Sequence, residues 1–167
     1  MHLDGNDVAA SIQAATWARE NGMRVFLDVD KVQDNVDQLL SLVDFAIPSV
    51  EFVKNFSGSE DWREGLRTVK EYCRGLVVVT LGEQGSAVLW EGDIHKYKAF
   101  PIKTVDSTGA GDVFHGAFIY GMLQGWPLGR CMKFSNAAGG LACTRLGARS
   151  AIPTLEEVLS LEKTYQE

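Results

Sequence analysis

Residues 104–112 read Thr104-Val105-Asp106-Ser107-Thr108-Gly109-Ala110-Gly111-Asp112, and Val113-Phe114-His115-Gly116-Ala117-Phe118 follows at once. A β-type approach, Ile102 to Val105, runs into a turn of very small residues. The pattern beyond it predicts a helix from Val113 to Gln124. Gly109, Ala110 and Gly111 carry almost no side chain, so their backbone N–H groups can face a ligand. They sit where a helix begins, where orphan donors and the helix dipole both favour an anion. Asp112 stands at the edge of this cradle. A carboxylate repels a phosphate-sized anion, so it needs another task there, such as taking a proton from an attacking hydroxyl. The plainer account of a bare Gly-Ala-Gly-Asp is a strand-to-helix turn, with glycines for close packing and Asp112 as a cap.

The longer run is more specific. Asp106-x-Thr108-Gly109-Ala110-Gly111-Asp112 with Phe114-x-Gly116 behind it resembles the signature of the ribokinase-like (pfkB) carbohydrate kinases. The resemblance implies ATP-dependent phosphorylation of a hydroxyl on a small sugar or nucleoside. Asp112 would be the general base and the Gly109–Gly111 turn the anion hole. Mg²⁺ would bridge the ATP phosphates, held mainly through water.

Outward from this stretch, alternating helix and strand patterns predict βαβ units around a mainly parallel sheet. Leu3 ends a short strand, and Asp4-Gly5 turns the chain into a helix capped by Asn6 or Asp7. That helix carries Val8, Ile12, Ala15 and Ala18 on one stripe, Trp17 at its flank and Gly22 at its stop. Met23–Val29 reads as an apolar strand with Asp28 and Asp30 at its end. Val32–Val43 reads as a helix, Asp44–Pro48 as a strand, and Ser49–Asn55 as a short helix closed near Gly58. Ser59 is expected to cap a helix through Arg74, with Glu60 and Asp61 in its first turn and Leu66, Val69, Tyr72 and Cys73 inside. Leu76–Leu81 is a β-branched strand bounded by Gly75 and Gly82. Ser86–Trp90 and His95–Phe100 flank Glu91-Gly92-Asp93 as a hairpin. Only helices follow the central turn: Val113–Gln124, about Leu128–Thr144, and Thr154–Tyr165. The expected fold class is α/β, a Rossmann-like three-layer α/β/α arrangement of ribokinase-like type, with residues 1–167 as one nucleotide-binding and catalytic part.

Further site candidates follow from position and from the resemblance. Ligands of open parallel sheets bind beyond the carboxyl ends of strands. Thr80-Leu-Gly-Glu-Gln-Gly85 occupies such a place and also reads as a plain strand-to-hairpin turn. The resemblance puts Thr80, Gly82 and Gly85 on the ATP side. In Phe134–Cys143, rich in small residues and suited to close helix packing, it puts Asn136 and Gly139 beside the base. Thr144-Arg-Leu-Gly-Ala148 resembles the family's closing loop, which implies a potassium site from Asp106, Thr108, Ala142, Arg145 and Gly147. Ala151 stands where many members carry serine. Pro48-Ser-Val-Glu-Phe52 matches a region that organises Mg²⁺, with Glu51 as the approximate counterpart and Ser49 where an asparagine is usual. Glu51 also reads as an exposed acid in a helix first turn. Lys103 and His115 flank the cradle as solvated or structural side chains.

The bulk numbers narrow the classes. A chain of 167 residues with 46% hydrophobic and 23% charged content suits one globular domain. A formal net charge of −6 argues against a general nucleic-acid or acidic-membrane binder. The three cysteines, Cys73, Cys131 and Cys143, form no Cys-x-x-Cys or Cys/His cluster and read as free thiols in the cytoplasm. No apolar stretch suggests a signal or membrane span. No Gly-x-Gly-x-x-Gly follows the first strand, which removes a dinucleotide-dependent dehydrogenase. The resemblance covers only the C-terminal part of the family's pattern, from Leu3 to Pro153. It implies that the first βαβ units, the sugar-binding Gly-Gly segment and the β-sheet lid lie outside this sequence. The second reading is therefore a weakly active or inactive nucleotide-binding remnant, which would form homo-oligomers through an exposed sheet edge.

Overall fold

The structure is a computed structural model that describes residues 1–164. The chain divides into two compact units. One comprises Met1–Leu81 with Ala87–His95, and the other Gly82–Ser86 with the chain from Lys96 onward.

The six-stranded sheet, which falls mainly in the first unit, has a spatial order that follows the sequence: β1 (His2–Leu3), β2 (Phe26–Val29), β3 (Phe45–Pro48), β4 (Leu76–Thr80), β5 (Ser86–Trp90) and β6 (Asp93–Tyr97). The β1–β2, β2–β3 and β3–β4 pairs are parallel. Glu91 and Gly92 turn β5 into β6 with φ of 51° and 91°, the positive pair that a two-residue hairpin needs. Such a connection makes these two strands antiparallel.

The crossovers are α1 (Val8–Glu20), α2 (Val36–Leu42), and α3 (Val50–Ser57) with α4 (Trp62–Tyr72). Right-handed crossovers that always step the same way along a sheet leave their helices on one face. Accordingly α1 packs on α2, α2 on α4, and α3 on α4. Leu27, Val29, Ala46, Val77 and Val79 meet Ala15, Ala18, Leu39, Phe52 and Leu66 in one core. Phe26, Ile47, Val78 and Val88, on the alternate positions, are buried as well. Both faces of the sheet thus carry buried apolar residues, which is why its strands are apolar almost throughout. Register is fixed in part by Phe26 against Phe45, whose rings stack at 4.5 Å.

The second unit holds α5 (Ala110–Leu123), α6 (Leu128–Ala142) and α7 (Leu155–Thr164). Phe134, Ala137, Ala138 and Val158 form its buried centre, with Phe100, Val113 and Leu141 against them. Trp126 lies edge-on to Tyr120 at 5.5 Å and to Phe134 at 5.1 Å.

Several elements depart from the expected bounds. β2 starts at Phe26, because the Met23 N–H closes the end of α1 on the Ala18 carbonyl and Met23 stays exposed. α2 starts at Val36, after Asn35 takes a left-handed φ of 63°. Asp61, not Ser59, caps α4 by accepting the Arg63 N–H at 3.0 Å. Ser59 instead gives its hydroxyl to Glu64, and Glu60 pairs with Lys54 ahead of the helix. Tyr72 is exposed rather than inside, its ring edge-on to Phe56. β6 ends at Tyr97, and residues 102–105 form no strand. The Val105 and Asp106 N–H groups donate instead to the Cys143 carbonyl. α5 begins at Ala110, three positions before the expected Val113, which draws Asp112 into its first turn. Tyr165, the expected end of the last helix, lies outside the described residues.

Candidate functional site

The central turn is the N-terminus of α5. Gly109 is the N-cap with φ 80°, and a Cβ there would lie 2.9 Å from that of Ala148. Both the backbone angle and the space demand glycine. The Ala110 N–H closes the turn on the Ser107 carbonyl at 3.1 Å. Among the described residues, the N–H groups of Gly109, Gly111 and Asp112 meet no protein acceptor. A Cβ on Gly111 would meet nothing within 4 Å, so the space over these donors is open. Three unspent donors at the positive end of a 14-residue helix suit a phosphate-like anion. The Ala110 N–H is thus taken up within the turn, and the open donors are those of Gly109, Gly111 and Asp112, a distinction that the sequence pattern alone does not reveal.

The Asp112 side chain is exposed. No side chain caps α5, so the reading of Asp112 as a cap fails. Among the described residues its carboxylate takes no hydrogen bond, and it stands in the same turn as the open donors.

Asp106 organises the loop in front. Its Oδ1 accepts the Thr108 N–H at 2.9 Å and the Thr108 hydroxyl at 2.7 Å, and its Oδ2 accepts the Gly147 N–H at 2.8 Å. The Thr108 hydroxyl, the Thr108 N–H and the Gly147 N–H together hold its carboxyl below the usual range. The Gly147 contact seats Ala148 against Gly109, so one carboxylate ties residues 144–151 to the cradle. Asp106, Thr108 and Gly147 therefore come together as a group. Ala142 is buried in α6. Arg145 is apart from them, paired with the Glu157 carboxylate. Glu157 also forms a reciprocal cap with Thr154, whose N–H it accepts at 2.7 Å while its own N–H reaches the Thr154 hydroxyl. The Thr154 N–H first, and then Arg145, lower its pKa to about 2.

On α6, Asn136 is buried and its Nδ2 donates to the carbonyls of Tyr97 and Lys98 at 3.0 and 3.2 Å. Gly85 meets the same segment, since a Cβ on it would lie 2.1 Å from the Tyr97 carbonyl oxygen. Gly85 and Asn136 thus clamp residues 97–99 from two sides. Gly139 lies against the cradle, where a Cβ would come 3.2 Å from the Ala110 carbonyl oxygen. Gly82 has φ 56° and open space before it.

Two candidates belong to the first unit. Thr80 ends β4, bridged in parallel to Ser49. The Ser49 hydroxyl caps α3 by accepting the Phe52 N–H, and Glu51 is exposed in that helix's first turn.

Among the described residues, no group of three or more His, Cys, Asp or Glu could hold a metal ion, and no helix is long and apolar enough to cross a membrane. All three cysteines are free, with Cys73 and Cys131 buried and their thiols pushed up by burial.

Known proteins share both the sequence and this architecture. The sequence profile of the pfkB family carbohydrate kinases matches residues 2–155. A ribokinase from Haemophilus influenzae is 32% identical over 162 residues, covering 94% of this chain and 51% of its own length. An Arabidopsis thaliana ribokinase solved with ribose and ATP is 27% identical with a TM-score of 0.82, covering 92% of this chain and 52% of that one. An Escherichia coli structure with ATP and Mg²⁺ is 26% identical with a TM-score of 0.81, covering 92% of this chain and 53% of that one. The chain spans about half the length of the curated relatives it matches. By profile, identity and fold, the chain belongs to the pfkB family of carbohydrate kinases.

Proposed function

We propose that this chain supplies the nucleotide-binding and phosphoryl-transfer part of an ATP-dependent kinase acting on a hydroxyl of a sugar or sugar-like substrate. The observation that carries the reading is the juxtaposition at α5. Three N–H groups without an acceptor among the described residues adjoin an exposed carboxylate in the same helical turn. The Gly109, Gly111 and Asp112 N–H groups hold a phosphate and stabilise charge on the transferred phosphoryl. The Asp112 carboxylate accepts the proton of the attacking hydroxyl. Fixed donors at a helix terminus need no reorganisation when charge develops, which is where their catalytic value lies.

Mg²⁺ at the site would supply charge neutralisation for the ATP phosphates. It keeps most of its waters and needs only one or two carboxylates; the resemblance offers Glu51, exposed in the first turn of α3, as a candidate. Asp106 is the candidate for a potassium-dependent loop, with three of its roughly four acceptor positions already taken. Thr80, Gly82 and Gly85 are assigned to the nucleotide side, and Gly139 to the packing that keeps α6 close to the cradle. The free thiols suit a cytoplasmic setting.

The test is ADP release from Mg-ATP with a panel of sugars and nucleosides, with and without potassium. Sugar-dependent release that disappears in Asp112→Asn supports the reading. The absence of both ADP release and any MgATP-dependent rise in melting temperature overturns it. β1 lies at one end of the strand order, so a second copy could add to the sheet there. Light scattering over a concentration series tests that assembly, and a monomer throughout removes it.

A further inference from the structure

One buried, titratable side chain beside the cradle has no place in the scheme above. His115 lies on α5 one turn after Gly111 and is buried. Its Nδ1 is 2.6 Å from the Gly111 carbonyl oxygen. A carbonyl can only accept, so Nδ1 carries the proton. Phe114 meets the ring edge-on, with centroids 6.0 Å apart.

The carbonyl of Gly111 and the N–H of Asp112 are two ends of one planar peptide unit. Holding the carbonyl therefore fixes the direction in which the Asp112 N–H points. That N–H is one of the three donors without a protein acceptor. The unit lies in the first turn of α5, where the helical i→i−4 bond is its ordinary hold and helix ends fray. Gly111 is conformationally permissive and a side chain there would meet nothing within 4 Å, so no packing adds to that hold and the His115 ring does. A rotation of this one plane would turn the Asp112 N–H away from the anion and swing the base with it. The added hydrogen bond on the carbonyl also polarises the peptide and strengthens its N–H as a donor, by roughly 10–30%.

We infer that His115 is a positioning residue for the anion cradle: its Nδ1–H locks the Gly111–Asp112 peptide so that the Asp112 N–H faces a bound phosphate. This rests on the reading of the cradle as a phosphate site. It assigns His115 no contact with substrate.

The test uses the whole chain, labelled with ¹⁵N, in the wild type and three variants. His115→Asn places an amide N–H near the position of Nδ1. His115→Phe keeps the ring without the donor, and His115→Met fills the space flexibly if phenylalanine does not fold. Amide spectra are recorded before and after addition of MgATP, and thermal melts confirm that each variant folds. The expected result before addition is a shifted and faster-exchanging Asp112 amide in H115F and H115M, with H115N close to wild type. After addition, H115N should respond as wild type does, while the donor-less variants lose the Asp112 response and bind MgATP on the order of tenfold more weakly. A wild type that responds beside an H115F or H115M that responds identically overturns this proposal alone. A wild type whose Gly109, Gly111 and Asp112 amides ignore MgATP overturns the reading of the cradle, and the proposal with it.

Discussion

The Gly147 N–H donates to Oδ2 of Asp106 at 2.8 Å, joining residues 41 positions apart in sequence. Through this bond the loop of residues 144–151 is held where Ala148 covers Gly109. The pKa of Asp106 is lowered by its bonds from Thr108 and Gly147. A depressed carboxylate contributes stability above its unfolded value and loses it as pH falls through the folded one. The Gly147 amide should therefore be well protected from hydrogen exchange at neutral pH and lose protection below about pH 4. Asp106→Asn turns a donor toward Gly147 and should show the unprotected state at neutral pH. A Gly147 amide equally protected in the variant would remove Asp106 as the tie.

The two cradle glycines should respond oppositely to alanine. At Gly111 the backbone is helical and the space is open, so Gly111→Ala should raise stability by about 0.5–1 kcal/mol. The same methyl intrudes on the anion and should weaken MgATP binding. At Gly109, with φ 80° and Ala148 close by, Gly109→Ala should cost about 1–3 kcal/mol as well as binding. Denaturant melts with and without MgATP separate the cases. A destabilised Gly111→Ala would contradict the open space.

Glu157 links α7 to Arg145 and closes its own cap on Thr154. Glu157→Ala should lower the melting temperature at neutral pH. Its pKa of about 2 lies below the ordinary value, so the difference from wild type should persist through mild acid and vanish only as pH approaches about 2. Added salt should weaken only the exposed Arg145 part. A gap that closes above pH 4, the ordinary carboxylate range, would mean that the cap contributes little.

Much of this was legible in the sequence because local chemistry and fold agreed. Leu76–Thr80 is β-branched and bounded by glycines. Glu91-Gly92 is a two-residue hairpin turn. Asp106 to Asp112 is a run whose residue types suit only a few tasks. The pattern fell short where long-range contacts decide. The start of α5 moved back to Ala110 because Ser107 and Asp106 supply the turn that precedes it, and no periodicity records that. Ser59 and Asp61 are both good caps, and the choice lay in Glu64 taking the serine hydroxyl. The roles of Asn136 and Gly139 depended on what lay opposite them: the carbonyls of Tyr97 and Lys98, and of Ala110. A spacing rule cannot see a partner tens of residues away.

Asn136→Leu should leave two carbonyls, those of Tyr97 at the end of β6 and of Lys98 just after it, without their donor and cost about 1–3 kcal/mol in a denaturant melt. Its effect on MgATP affinity separates a clamp from a base-pocket residue. A clamp lowers stability first and affinity only through it. Unchanged stability with lost affinity would place the amide on the ligand instead.

Phosphate binding at the α5 turn, with Asp112 taking the proton of the attacking hydroxyl, is tested most directly by Asp112→Asn, with MgATP affinity and sugar-dependent ADP release measured on the same preparation. The substitution keeps the backbone N–H and removes the base. Affinity should stay within about threefold while release falls by at least about a hundredfold, the size of a general-base contribution. An asparagine variant that releases ADP at the wild-type rate would contradict the account.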